Sequence, residues 1–206
     1  MVLKSLNSLN NDVERNLKLT IRPAIIEDTK EISAILAQSF YSFPEFAHWI
    51  YPFLRFTINE DLRYRLRLTS PHYRCLVAKM IPSSNHHQNT IESDSGSIIV
   101  GTIEVTLRSV LWPTSPQHPY ISNLAVAADY RRLGIGSQLL TACEQAALDW
   151  GYQETRLHVL DCNESAKQLY CQNGYQISQI EPNWGSLWFD YSPRLLLKKI
   201  IQTPQS

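Results

Sequence analysis

The sequence predicts a mixed α/β fold, a sheet with helices on its faces. Three observations predict it. The chain has 206 residues, 44% of them apolar, enough to bury one core of ordinary size without staples. Segments with strand character, alternating or β-branched, are bounded by Pro, Gly and polar turns. Between them lie segments whose apolar residues recur at the helical period, and the order reads β-α-α-β-β-β-α-β-α-β-β.

Leu17 to Arg22 (LKLTIR) alternates and meets Pro23, which suits a first strand with a hard stop. Asp28 is placed to cap a helix carrying Ile32, Ile35 and Leu36 on one face. Phe40 to Phe56 is dense in aromatics and broken by Pro44 and Pro52, so helix and loop alternate there. A further helix opens at Asn59 or Asp61, with Leu62 and Leu66 four apart and a solvated basic face at Arg63 and Arg67. Tyr73 to Met80 is a strand, Ile81 to Ser95 a polar loop, and Ser97 to Leu107 a long β-rich strand. Trp112 to Pro119 is a Pro-rich loop before the strand Tyr120 to Val126.

Gly136 to Trp150 is an amphipathic helix: Leu139, Leu140, Cys143, Ala146, Ala147 and Trp150 share a face, and Gly151 ends it. Thr155 to Leu160 is a strand. Asn163 caps a helix carrying Ala166, Leu169 and Tyr170, which Gly174 closes. Tyr175 to Ile180 and Leu195 to Ile201 are two final strands around an aromatic loop. Met1 to Asn16 reads as a polar, frayed leader and 202–206 as a tail, leaving one domain over 17–201.

Composition excludes several classes. With 19 basic and 19 acidic side chains the formal net charge is zero, which argues against nucleic acid as a partner. The apolar content is too high for a disordered chain, and no window reaches the length of a membrane span. Cys75, Cys143, Cys162 and Cys171 form no C-x-x-C pair and read as reduced, mostly buried thiols in a reducing compartment, most simply the cytoplasm. His86 and His87 lack a third ligand at a useful spacing, so no metal is expected.

The most informative segment runs from Leu124 to Ser137. A strand, Leu124-Ala125-Val126, leads through a short connection to Arg131-Arg132-Leu133-Gly134-Ile135-Gly136-Ser137 and into a helix. Two glycines one residue apart let the backbone turn sharply and gather N–H groups around an anion. The helix directs its positive end at the same place, and the two arginines add full charges. Together they suit a pyrophosphate. A Rossmann fingerprint would need a glycine where Leu139 stands, and a P-loop would need a lysine after Gly136. A helix start with a tight turn and two exposed arginines is the plain alternative.

A second segment adds to the first. Asn163 to Tyr175 has the form N-x-x-A-x-x-L-Y-x-x-x-G-Y. With the strand and cradle before it, this resembles the GNAT superfamily of acetyl-CoA-dependent N-acetyltransferases, over roughly Leu17 to Ile201. The resemblance implies a mostly antiparallel central sheet of about seven strands with helices on both faces and a splayed central pair. The strand Tyr120 to Val126 would part from its neighbour, and the pantetheine arm of acetyl-CoA would pair with the exposed backbone of Leu124, Ala125 and Val126. Arg131 to Ser137 would hold the diphosphate. Asn163 would touch the pantetheine, and Tyr170 would protonate the departing thiolate. The plain reading of Tyr170 is a core aromatic.

The resemblance also implies direct transfer to a neutral amine, which needs a base. Tyr120 and His158 are similar to a pair in some protein N-terminal acetyltransferases. Glu104 matches a glutamate of many small-amine members. A sheet histidine and a solvated strand face are the respective plain alternatives. Trp112, Pro113, Pro116 and Pro119, Trp184, Trp188 and Tyr191, and the Phe40 to Phe56 cluster would wall the acceptor side. No dense acidic patch favours a polyamine. The stretch WPTSPQHPYISNLAVAADYRRLGIG also resembles GNAT proteins of cyanobacteria and plant plastids. The expected partners are acetyl-CoA and a protein or peptide amine, α-amino first and lysine second, with the chain a monomer or homodimer. A small-molecule N-acetyltransferase and a non-catalytic acyl-CoA-binding module are the other two readings.

Overall fold

The computed structural model describes residues 17–40, 51–68, 70–82, 97–109, 116–181 and 192–202. Seven strands and four helices follow the expected order. They are β1 (Leu17–Pro23), α1 (Thr29–Phe40), α2 (Tyr51–Arg67), β2 (Tyr73–Pro82), β3 (Ile98–Ser109), β4 (Gln117–Val126), α3 (Ile135–Asp149), β5 (Glu154–Leu160), α4 (Glu164–Gln172), β6 (Gln176–Glu181) and β7 (Arg194–Ile200). The strands form one sheet in the order β1-β2-β3-β4-β5-β7-β6. Every pairing is antiparallel except β4 with β5, which the α3 crossover makes parallel.

Helices cover both faces. On one side Ile32, Ile35 and Leu36 of α1 and Leu62 of α2 pack on Cys75, Val77, Ile99 and Ala125. On the other, Ile135, Leu139, Leu140 and Cys143 of α3 and Tyr170 of α4 pack on inward residues of β2 to β5 and β7. Strand β3 lies between, buried continuously from Ile99 to Val105, as a strand covered on both faces must be.

Three local expectations are corrected. Asp28 does not cap α1; it is buried in a 3-10 turn, accepts from the Ile25 N–H at 2.8 Å and pairs with both Nη atoms of Arg22. Helix α2 begins at Tyr51, not at Asn59 or Asp61, because Pro52 falls in its first turn, where a missing N–H costs nothing. The thiols are also split, since Cys75 and Cys143 are buried while Cys162 and Cys171 are exposed. The N-terminal leader, His86 and His87 lie outside the described residues.

Candidate active site

The site begins with a fault in the sheet. Strand β4 pairs with β5 at only two positions, Tyr120 with Arg156 and Ile121 with Leu157. On its other side β4 stays against β3, but the register slips from Glu104–Ser122 to Thr102–Ala125. Two steps on β3 therefore face three on β4, a bulge, and Asn123 within it has φ 54°. Past the last β5 rung, Ser122 to Val126 keep β3 on one side and have no strand paired on the other. This is the splayed pair the sequence implies.

A cleft of about 560 Å³ opens along that edge. Leu124, Ala125 and Val126 form one wall, and Asn163, Ala166, Leu169 and Tyr170 of the α4 region form the other. The turn into α3 closes one end, contributing Arg131, Arg132, Gly134, Ile135, Gly136 and Ser137. Leu133 is missing from the lining; its side chain is exposed. Ser39, from the end of α1, also lines the cleft and was not singled out from sequence.

Turn geometry can be read residue by residue along the segment expected to cradle an anion. Gly134, the N-cap of α3, has φ 75°, and it offers no side chain to cap the helix. The first-turn N–H groups of α3 thus have no side-chain cap at the wall of the cleft. Arg132 also adopts a left-handed conformation, φ 68°, which is uncommon for a side chain of its size. Arg131 is partly committed to the fold, since its Nε donates to the Val126 carbonyl at 3.0 Å and ties the turn to the end of β4. Gly136 serves packing rather than turning: a Cβ there would lie 3.1 Å from Leu169 Cδ2 on α4.

Across the cleft, Asn163 caps α4 as expected, its Oδ1 accepting from the Ala166 N–H at 3.1 Å. Sequence reading missed Asn173, whose amide donates to Ser137 Oγ at 3.0 Å and to the Leu169 carbonyl at 2.8 Å. That amide locks the end of α4 to the start of α3. Tyr170 is 8% exposed, edge-on to Tyr175 with ring centres 5.9 Å apart. Burial pushes its phenol up to about 12, and nearby Tyr120 adds to the effect. A phenol so placed remains a proton donor at neutral pH.

Tyr120 and His158 meet where the fork closes. The Tyr120 hydroxyl is 2.9 Å from His158 Nδ1, and the Arg108 guanidinium sits 4.1 Å above the Tyr120 ring. His158 Nε2 lies 3.2 Å from Glu181 Oε2, too poorly aligned to count as a hydrogen bond.

Glu104 departs from the solvated face that was its plain reading. It is not on a solvated face, being 1% exposed, and it does not line the cleft. Its carboxylate accepts from Arg65, from the Tyr73 hydroxyl at 3.1 Å and from Asn123 Nδ2 at 2.9 Å. Arg65 also pairs with Asp61 one turn away on α2. A strand glutamate with Thr102 and Thr106 on its own face reads as exposed, and nothing in the sequence marks Arg65, rather than Arg63 or Arg67, as its partner.

Of the expected acceptor wall, Trp112, Pro113, Trp184, Trp188 and Tyr191 lie outside the described residues. Pro119 is buried, while Phe53 and Phe56 project outward from α2. Among the described residues no group of His, Cys, Asp and Glu is arranged to hold a metal.

Comparison with known proteins bears on the family and the fold. The family model described as "Acetyltransferase (GNAT) family" matches residues 43–175. GCN5-related N-acetyltransferase 10, chloroplastic, of Arabidopsis thaliana is 29% identical over 180 residues, covering 84% of this chain and 68% of its own. Thialysine N-epsilon-acetyltransferase of Mus musculus is 31% identical over 121 residues, 59% of this chain and 66% of its own. The chain thus spans about two thirds of either relative. The crystal structure of PaiA N-acetyltransferase from Thermoplasma acidophilum in complex with coenzyme A superposes with a TM-score of 0.61 at 18% identity, covering 89% of this chain and 99% of that one.

Proposed function

The chain belongs to the acetyltransferase (GNAT) family, and from that premise we propose that it moves an acetyl group from acetyl-CoA to a protein N-terminal α-amine, with lysine as a second acceptor. The β4 edge at Leu124 to Val126 pairs with the pantetheine amides, whose donors and acceptors complete the strand. The turn Arg131 to Ser137 takes the diphosphate on uncapped N–H groups beside two arginines. Asn163 contacts the arm, and Tyr170 gives its proton to the departing sulfur. The Tyr120–His158 pair receives the proton of the attacking ammonium. An α-ammonium, near pKa 8, asks much less of such a base than lysine at about 10.4.

One observation carries the choice of acceptor class. The pair that suits an α-amine is assembled at the closed end of the fork, with 2.9 Å between Tyr120 Oη and His158 Nδ1. The carboxylate that would serve a small-amine enzyme, Glu104, is instead engaged by three donors. The test is incubation with acetyl-CoA and a mixed peptide library. Release of free thiol with N-terminally acetylated products supports the reading, whereas acetylation confined to free small amines, thialysine among them, rejects the protein substrate. Tight acetyl-CoA binding with no thiol release against any amine would support a binding module.

A further inference from the structure

We propose that Glu181 is a positioning residue for the base, the outer member of a Glu181–His158–Tyr120 relay; this rests on the reading of Tyr120 and His158 as the amine's proton acceptor. The sheet order makes the contact informative. Strands β5 and β6 both pair with β7 and not with each other, so the Glu181 carboxylate crosses β7 to come within 3.2 Å of His158 Nε2. Both ring nitrogens are then accounted for: Nδ1 faces the Tyr120 hydroxyl at 2.9 Å, and Nε2 faces an acid. Nε2 is buried and makes no hydrogen bond among the described residues. With the ring proton on Nε2, Nδ1 offers its lone pair to Tyr120, the arrangement a base acting through a phenol requires.

Other charged groups lie around the His158–Glu181 contact. On its own strand Arg156 is paired with Glu154. On β4 the neighbour along the face is His118, and on β3 Arg108 is stacked over Tyr120. On β7 the residue opposite His158 is Leu196, with Lys198 opposite Arg156, while Arg194 stands opposite Leu160 on one side and Glu181 on the other, so Glu181 has a cation as its strand neighbour as well as His158.

In the reaction an ammonium N–H bond breaks toward Tyr120 Oη while the phenol proton passes to His158 Nδ1. The imidazolium so formed lies against the Glu181 carboxylate until its proton is lost to solvent. As the N–C bond forms and the C–S bond breaks, the nitrogen's second proton replaces the one that Tyr170 gives to sulfur. Ammonium and thioester thus become amide, thiol and one released proton.

The experiment is the pH profile of kcat/KM for a peptide acceptor in the wild type, Glu181→Gln, Glu181→Asp, His158→Ala and the double variant His158→Ala/Glu181→Gln, with acetyl-CoA binding measured in each as a folding control. Glu181→Gln is expected to lower kcat about 10-fold, leave the KM for acetyl-CoA unchanged, and move the acidic limb to lower pH, because the imidazolium has lost its counter-charge. Glu181→Asp should restore part of both effects, and Glu181→Gln should add nothing once His158 is gone. An unshifted Glu181→Gln limb beside an inactive His158→Ala overturns the relay alone. Equal losses from Glu181→Gln with and without His158 overturn it too. Wild-type turnover in His158→Ala overturns the base reading itself.

Discussion

The side-chain amide of Asn123 donates to Glu104 Oε1 at 2.9 Å, joining the left-handed residue of the β4 bulge to a carboxylate buried in β3. Through Arg65 the same carboxylate reaches α2, so a helix on one face of the sheet braces the bend that opens the fork.

That brace gives Glu104 a structural part in the fold. Glu104→Gln should lower unfolding free energy by about 1–3 kcal/mol, the cost of leaving buried partners poorly satisfied. Turnover per folded molecule should survive. Urea denaturation and acetyl transfer on the same preparation check this, and abolished turnover at wild-type stability would return Glu104 to the base role. Asn123→Ala should cost about 1 kcal/mol more than Asn123→Gly, because alanine adds left-handed strain to the shared loss of the bond.

Tyr170→Phe removes the proposed proton donor and little else. The kcat should fall by about 100-fold or more while calorimetric affinity for acetyl-CoA stays put. A raised phenol also has a signature in stability. The unfolded chain ionises this tyrosine near pH 10, whereas the folded one holds its proton to about 12. Its contribution is complete below pH 10 and lost as pH rises toward 12. Melting temperatures of wild type and Tyr170→Phe should therefore keep a constant gap below pH 10 and change relative to one another above it.

Arg132 holds a positive φ in the wall of the cleft. Arg132→Gly should relieve the backbone, adding up to about 1 kcal/mol of stability, while weakening acetyl-CoA binding and flattening its salt dependence. Calorimetry at two ionic strengths beside a thermal melt reads both. Unchanged affinity would remove Arg132 from the cradle.

Two glycines separate tight packing by what each would strike. A Cβ on Gly101 would lie 3.1 Å from the Ala125 carbonyl oxygen and from Leu139 Cδ1, pressing on the β4 wall itself. Gly101→Ala should cost about 1–3 kcal/mol and raise the KM for acetyl-CoA. Gly136→Ala meets only the tip of Leu169 and should cost less. The order of the two denaturation midpoints decides the matter.

The order of elements was legible because alternation and helical period are local properties, and the caps at Asn163 and Gly174 are written in single residues. The tight turn from Arg131 into the next helix was legible for the same reason. The bulge was not, since Ser122-Asn123 sits between apolar residues of a strand and the partner of the Asn123 amide, Glu104, lies on another strand 19 residues away. Gly136 looked like a turn glycine but lies inside the helix against Leu169, and Asn173, which carried no signal of its own, fixes Ser137. Contacts between separate elements are what the chain order conceals.

A sheet held across its middle by two rungs consists mechanically of two plates, β1 to β4 and β5-β7-β6, with the α3 connection as their strap. A molecule that lays amides along the parted edge splints the plates together. Amide-proton exchange should then slow on β4 and α4 in concert when the thioester is added, making cohesion of the fold and occupancy of the cleft a single equilibrium.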